Sequence, residues 1–242
     1  MMKCNLLLCM CIFFFNVNTI QSQIKSGKII YERKTNLYKK FKNNGDVKDW
    51  LKEEDKNKID VFELYFNDSL SAFKPQETDL VEKMSWSTNK NSVYQNRLTN
   101  KRLTVKTIWG ERFLLTDSMR QCQWKITENK RNICGYQCRK AILTVNDSTR
   151  LYAWFCTELN ACIGPESLGG LPGVILGLAT EDGGVIYFAK SVEIIKPTLD
   201  VLLVKKTKEK IYQTSELKAQ ISKDFGKEKW GKMMLYNQFE IW

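Results

Sequence analysis

From Lys28 onward the chain is written in short runs of branched and aromatic residues broken by turn residues, and this punctuation limits the fold more than any other feature. KIIYERK, DVFELYF, SLSAFKP, SVYQNRL, RLTVKTIW, RFLLTD, CQWKIT and RKAILTV are followed by LYAWFC, VILGLA, VIYFAKSVEII and LDVLLVKK. Turn signals recur every 8 to 15 residues, at Asn43-Asn44-Gly45, Lys74-Pro75, Asn146-Asp147-Ser148, Asp182-Gly183-Gly184 and Lys196-Pro197. Strands this close together, without helical crossovers between them, pair antiparallel. A sheet of about ten strands has to curl, close or split to protect its edges. The pattern predicts a mostly β (α+β) protein built on a curved antiparallel sheet, a half-barrel or open barrel. Two stretches depart from it. DVKDWLKEEDKNK (46–58) is polar nearly all round and reads as a short exposed helix or a loop. From about residue 214, Thr214 or Ser215 can cap a carboxy-terminal helix whose Leu217, Ile221 and Phe225 fall four apart. That helix should bend near Gly226 and pack on one face of the sheet.

The first 23 residues have a different composition, with one lysine, Lys3, an apolar run from Leu6 to Phe15 and a polar end. The run is too short for a spanning helix and fits a secretory signal peptide. The expected division is therefore a signal peptide over 1–23 and a single β-rich domain over 24–242, exported, with no transmembrane span. Lysine and arginine total 38 against 27 acids; without Lys3 the balance is 37 − 27 = +10. The lysines lie in short scattered groups interleaved with acids, which reads as a solvated surface and not as a nucleic-acid face.

The sequence contains no histidine. Ser-His-Asp and Cys-His machinery and His-ligated zinc are thereby excluded, and chemistry would rest on carboxylates, lysine, tyrosine or cysteine. Of eight cysteines, five lie beyond the signal peptide: Cys122, Cys134, Cys138, Cys156 and Cys162. Their C-x3-C and C-x5-C spacings suit neither a zinc ribbon nor a thioredoxin-like site, and no metal or cofactor is expected. Export makes disulfides the default. A hairpin turning near residue 130, at TENKRN, would set Cys122 opposite Cys138; Cys156 and Cys162 could close a short loop, with Cys134 left over.

One segment, GPESLGGLPGVILGL (164–178), is rich in glycine and carries a single charge, Glu166. It lacks the spacing of a P-loop or a dinucleotide fingerprint. Pro172 and Gly173 suit the two central positions of a type II turn, and Leu171 before proline favours extended backbone. The segment thus reads as loop, corner and buried strand, and it either only shapes the sheet or frames a docking mouth. In the second case Trp154, Gly170, Leu171, Pro172, Gly173, Val174 and Leu176 would line it.

GLPGVIL at 170–176, with Gly135-Tyr136, Cys138, Lys140-Ala141, Ala153-Trp154 and Gly164-Pro165 before it, resembles the GLPGLI family of exported proteins of the Bacteroidota. Val174 departs from that family's leucine, and Cys156 and Cys162 from its expected residue types. The resemblance implies a cell-envelope protein, periplasmic or associated with the outer membrane, in bacteria rich in outer-membrane transporters. The function expected on this basis is a non-enzymatic binding or accessory role, holding an apolar ligand or lipid, or an outer-membrane transporter or other envelope protein. Two alternatives stand beside it. One is an enzyme using carboxylates among Glu158, Glu166, Glu181 and Asp182; the other is a scaffold that pairs an edge strand with a partner.

Overall fold

The computed structural model describes residues 24–239 except Val81, Ser148 and Lys206; the expected signal peptide lies outside the described residues. In chain order the elements are β1 (Gly27–Asn36), α1 (Leu37–Lys40), α2 (Gly45–Trp50), β2 (Asn57–Phe66), β3 (Leu70–Pro75), β4 (Ser92–Asn96), β5 (Lys101–Ile108) and β6 (Glu111–Ser118). Then come β7 (Trp124–Ile133), β8 (Tyr136–Asn146), β9 (Thr149–Cys156), β10 (Val174–Thr180), β11 (Val185–Glu193), α3 (Leu199–Leu202), β12 (Ile211–Gln213), α4 (Thr214–Phe225) and α5 (Lys229–Phe239). The strands form one open sheet in the order β12-β6-β5-β4-β3-β2-β1-β11-β10-β9-β8-β7. Every pairing is antiparallel except β12 with β6. The mostly β class and the open sheet are as the sequence predicts.

Alternation along the strands sets the inner face. In β1 and β2 the buried positions recur at every second residue, with Ile29, Tyr31, Phe62, Leu64 and Phe66 all within 1% of full burial. The main core joins these to Phe155, Leu171, Val174, Ile175, Leu176 and Tyr187. The sheet curls: the loop between β9 and β10 meets β5, six places away in strand order, where Arg102 Nη1 donates to Ser167 Oγ at 3.1 Å.

The carboxy-terminal region forms α4 and α5, separated at Gly226. Leu217 and Ile221 are buried against Ile108 and Leu115 of β5 and β6, so this pair of helices covers that end of the sheet. Thr214 does not cap α4; its hydroxyl donates to Asp117 Oδ2 at 2.7 Å and ties the helix start to β6. The polar stretch 46–58 holds the rest of α2 and a 3₁₀ turn at Glu53–Asp55.

The cysteine pairing is corrected: Cys122, Cys134, Cys138, Cys156 and Cys162 are all free thiols. The hairpin turns at Cys134-Gly135, not at TENKRN, because both residues take left-handed backbone (φ 52° and 84°) and make the tight turn whose twist matches a hairpin. Cys138 therefore faces Arg131, nine positions after Cys122. Trp124, two residues after Cys122, faces Leu143, and five strand positions separate Leu143 from Cys138, roughly 17 Å, far beyond disulfide reach. Cys156 is fully buried whereas Cys162 is exposed. Burial, reinforced by Cys156, Cys134 and Glu158, pushes the Cys138 thiol up to about 12, so it has little thiolate with which to react.

Candidate functional site

The β1 pattern that buries Ile29 and Tyr31 also turns Arg33 inward, and the β2 pattern that buries Phe62 turns Asp60 inward. Register makes the two direct cross-strand partners, and Arg33 faces Tyr187 of β11 on its other side. Asp60, Arg33 and Tyr187 thus form one row across three strands. Arg33 Nη2 and Nε donate to Asp60 Oδ2 at 2.7 and 3.3 Å, and Nη1 donates to the Asn89 carbonyl at 2.8 Å. The guanidinium also lies 4.7 Å above the Phe62 ring.

Glu166 completes the row from the loop between β9 and β10. Its Oε1 accepts from the Tyr187 hydroxyl at 2.6 Å and lies 3.6 Å from Arg33 Nη1. Glu166 and Ser167 both hold left-handed backbone, φ 53° and 67°, although neither is glycine. Each costs roughly 1 kcal/mol or more relative to ordinary backbone. The surrounding contacts, Tyr187 and Arg33 to Glu166 and Arg102 to Ser167, hold that strained corner in place.

Charges in the row are compensated. Burial acts to lower Arg33, but Tyr187, Glu166 and Asp60 outweigh it and hold the guanidinium above its ordinary range. Burial acts to raise Asp60, and the charge and hydrogen bonds of Arg33, with Thr88 and Lys58, outweigh it and hold the carboxyl below the usual range. Burial and the Glu166 charge push the Tyr187 phenol well up, which keeps it a donor. Lys58 and Lys90 stand 3.5 Å from Asp60 Oδ1. Both also pair with Glu82, Lys58 at 2.8 Å. Three cations and three carboxylates therefore run as one network from Glu82 to Glu166.

Glu166 and Ser167 border a cavity of about 40 Å³ whose other walls include Arg102, Lys106, Arg120 and Gln238. That is room for a water or one small functional group, not for a sugar ring. Lys106 Nζ donates to the Gln238 carbonyl at 2.5 Å. Burial brings the Lys106 ammonium down to about 8, with Glu166 opposing and Arg120 and Arg102 reinforcing the shift. A carboxylate and an ammonium able to lose its proton near pH 8 thus share one small, buried space.

The four acids read from the sequence are not brought together. Glu181 binds Arg150 and Tyr152 at the surface, at 3.1 and 2.7 Å. Asp182 closes the β10–β11 turn by accepting from Thr180 and Gly184. Glu158 lies where its carbonyl accepts from Ile24. Only Glu166 points inward, and its carboxylate neighbour is Asp60. Arg33, Asp60, Tyr187 and Lys106 were missed. Arg33 and Asp60 sit in phase with the apolar residues of their strands, and a charge in the apolar phase is the signal that finds them; Lys106 shares its phase with Arg102 and Thr104 and gives no such signal.

Among the mouth residues, Leu171, Val174 and Leu176 are packed into the core at 1% exposure or less, while Gly170 and Pro172 are exposed. Trp154 lies on the opposite face of β9 from the core positions, with the Arg131 guanidinium 5.3 Å from its ring. The corner is not a type II turn. Gly173 N donates to the Leu171 carbonyl at 2.8 Å, a three-residue turn centred on Pro172. Gly173 has φ 148°, and a Cβ there would lie 2.0 Å from the Cys156 carbonyl oxygen.

The comparisons with known proteins correct two expectations. A family model described as N-glycanase peptide, N-terminal domain, matches residues 42–219. Two crystal structures of PNGF-II, in space groups P21 and C2, share the fold at 17% identity, with TM-scores of 0.54 and 0.53. They cover 81% and 88% of this chain, which spans about a third of their length, 32% and 33%. No curated protein matches the chain in sequence. The GLPGLI resemblance is overturned, because it rests on a short corner before a buried strand, whereas this match runs through most of the chain. The expected non-enzymatic binding role falls with it, since the family bears an enzyme's name and the supposed apolar mouth is filled by core side chains. From residue 42 to residue 219 the chain carries the pattern of one family, and it belongs to the N-glycanase peptide, N-terminal domain family.

Proposed function

We propose that this exported chain acts in the enzymatic cleavage of N-linked glycans, and that the Glu166 cavity, which admits a water or one small functional group, holds the attacking water while the sugar stays outside it. The observation that carries this reading is that Glu166 and Lys106, both buried, line one small cavity. Hydrolysis needs a base to take a proton from water as its oxygen adds to the scissile carbon, and an acid to protonate the leaving nitrogen. Glu166, oriented by the Tyr187 hydroxyl and charge-balanced by Arg33, is the base. Lys106, whose ammonium gives up its proton near pH 8, is the acid. The family name supports the substrate class, and the absence of histidine from the sequence supports a carboxylate and a lysine in these roles.

The test is cleavage of an N-glycosylated peptide by the full chain, read by mass spectrometry as glycan release. Glu166→Gln keeps the shape of the side chain and removes its basicity, and it should slow release by about a hundredfold or more. Wild-type protein that leaves the glycopeptide intact from about pH 5 to 9, or a Glu166→Gln variant that cleaves at the wild-type rate, sinks the proposal.

A further inference from the structure

A second hollow lies away from Glu166, at the other end of the ion network. It has a volume of about 520 Å³ and is walled by the 3₁₀ turn Glu53–Asp55, the outer edge of β2, and Gln76, Thr78, Glu82 and Met84. This volume falls within the range of small-molecule sites, roughly 300–1,000 Å³. Asn57, Gln76 and Thr78 offer it amide and hydroxyl groups that donate and accept, and Leu37 and Met84 supply an apolar floor.

Three carboxylates and two ammonium groups line it, and Lys90, which also pairs with Glu82, brings the local charge to balance. Lys58 pairs with Glu82 at 2.8 Å, and Lys83 pairs with Glu54 at 3.1 Å and with Asp55 at 2.6 Å. A site with its charges spent on one another has little field with which to draw an ion, but it keeps carboxylate oxygens that accept from hydroxyl groups. Such a lining suits a neutral ligand rich in hydroxyls.

The chain flanking these walls carries an exposed aromatic platform. Trp50 ends α2 just before the Glu53–Asp55 turn, and Trp86 follows Met84 by two residues. The indoles are 64% and 56% exposed with ring centroids 6.3 Å apart, and Phe41 lies 5.7 Å from Trp86. Two large rings left facing water on one side are ready to cover the C–H face of a sugar ring, as aromatic residues with one apolar face do at binding surfaces.

We infer that the cavity between Glu54, Gln76 and Glu82, with the Trp50–Trp86 platform beside it, is a subsite for a neutral saccharide, the sugar portion of an N-linked glycan. The identity of the glycan rests on the proposed function; the site itself rests on the cavity and the platform. Lys58 and Glu82 line the cavity and also belong to the network that reaches Asp60, Arg33 and Glu166. A bound sugar would therefore touch the same set of charges that positions Glu166.

The test is titration of the full chain with N,N′-diacetylchitobiose and with a mannose-containing core pentasaccharide, read by calorimetry and by tryptophan fluorescence. Saturable binding with a change in indole emission is expected. The Trp50→Ala/Trp86→Ala double variant should bind at least about tenfold more weakly, equivalent to about 1.4 kcal/mol, and Glu82→Gln should also bind more weakly. Glu166→Gln should bind as the wild type does, which separates this site from the proposed cleavage: wild-type protein that binds the sugar but releases no glycan would count against the cleavage and leave this site standing. Equal affinity in wild type and both platform and cavity variants would place the sugar elsewhere and overturn the inference. So would no saturable binding at millimolar sugar, or tighter binding of a sulfated analogue than of the neutral sugar. Circular dichroism checks that the variants are folded, and Glu82→Gln keeps the test open if the double variant is not.

Discussion

Replacing Arg33 with methionine tests whether the buried row is held together by its one central cation. Methionine keeps an unbranched apolar stem over the Phe62 ring and removes the charge together with four donated hydrogen bonds: two to Asp60, one to the Asn89 carbonyl and one to the Tyr187 hydroxyl. The side chains of Arg33, Asp60 and Glu166 are exposed by only 6%, 0% and 2%, so water cannot take over the lost contacts. Removing one partner of such a buried pair costs about 3–5 kcal/mol. For a chain of this size that corresponds to a fall in melting temperature of roughly 6–20 °C. The pH dependence carries a sign that a packing defect would not have. In the wild type Asp60 lies below its ordinary value, so its contribution is present at neutral pH and is lost as pH falls through the carboxylate range. In Arg33→Met burial raises the Asp60 carboxyl, the folded chain then binds a proton the unfolded chain lacks, and the variant gains stability on acidification. The gap between the two proteins should therefore narrow from pH 7 toward about pH 4.5, measured by urea unfolding followed by tryptophan fluorescence. The double variant Arg33→Met/Asp60→Asn should recover part of the loss. A gap under about 1 kcal/mol at pH 7, or one that stays constant with pH, refutes the reasoning.

Gly173→Ala should destabilise the fold by about 3 kcal/mol or more, since it combines φ 148° with a Cβ placed 2.0 Å from a backbone carbonyl oxygen. Gly45→Ala, where a Cβ meets nothing within 4 Å, should change stability by under about 1 kcal/mol and serves as the control in the same thermal melts. Lys106→Met should stabilise the protein at neutral pH by an amount on the order of 2 kcal/mol, because it removes a buried ammonium held down near 8. The folded lysine has lost its proton between about 8 and its ordinary 10.5 while the unfolded one keeps it, so wild-type stability rises with pH through that window. The advantage of the variant should shrink there, and a difference in melting temperature that stays flat from pH 7 to about pH 10 would contradict the assignment.

Much of the architecture was legible in the chain. Apolar alternation in KIIYERK and DVFELYF identified strands, turn residues spaced them, and Leu217, Ile221 and Phe225 marked a helix that does pack on the sheet and does break at Gly226. These are local properties, set by side-chain period and backbone preference within a few residues. Register was not local. TENKRN has turn-forming composition, yet it lies in β7, because two left-handed residues at Cys134-Gly135 made the better turn, and that shift carried Cys122 away from Cys138.

The site was legible only in part. Glu166 stood out as the single charge in an uncharged segment, but nothing near it in sequence reveals that Tyr187, Arg33 and Lys106 will surround it. Arg33 and Asp60 are 27 residues apart, and Arg33 and Tyr187 154 apart. By itself the sequence determined a histidine-free, strand-rich chain and the phase in which most strands face their core. Only the tertiary structure decided which inward charges meet, because a buried ion is tolerated solely where pairing and curvature bring its counter-charge within a few ångströms.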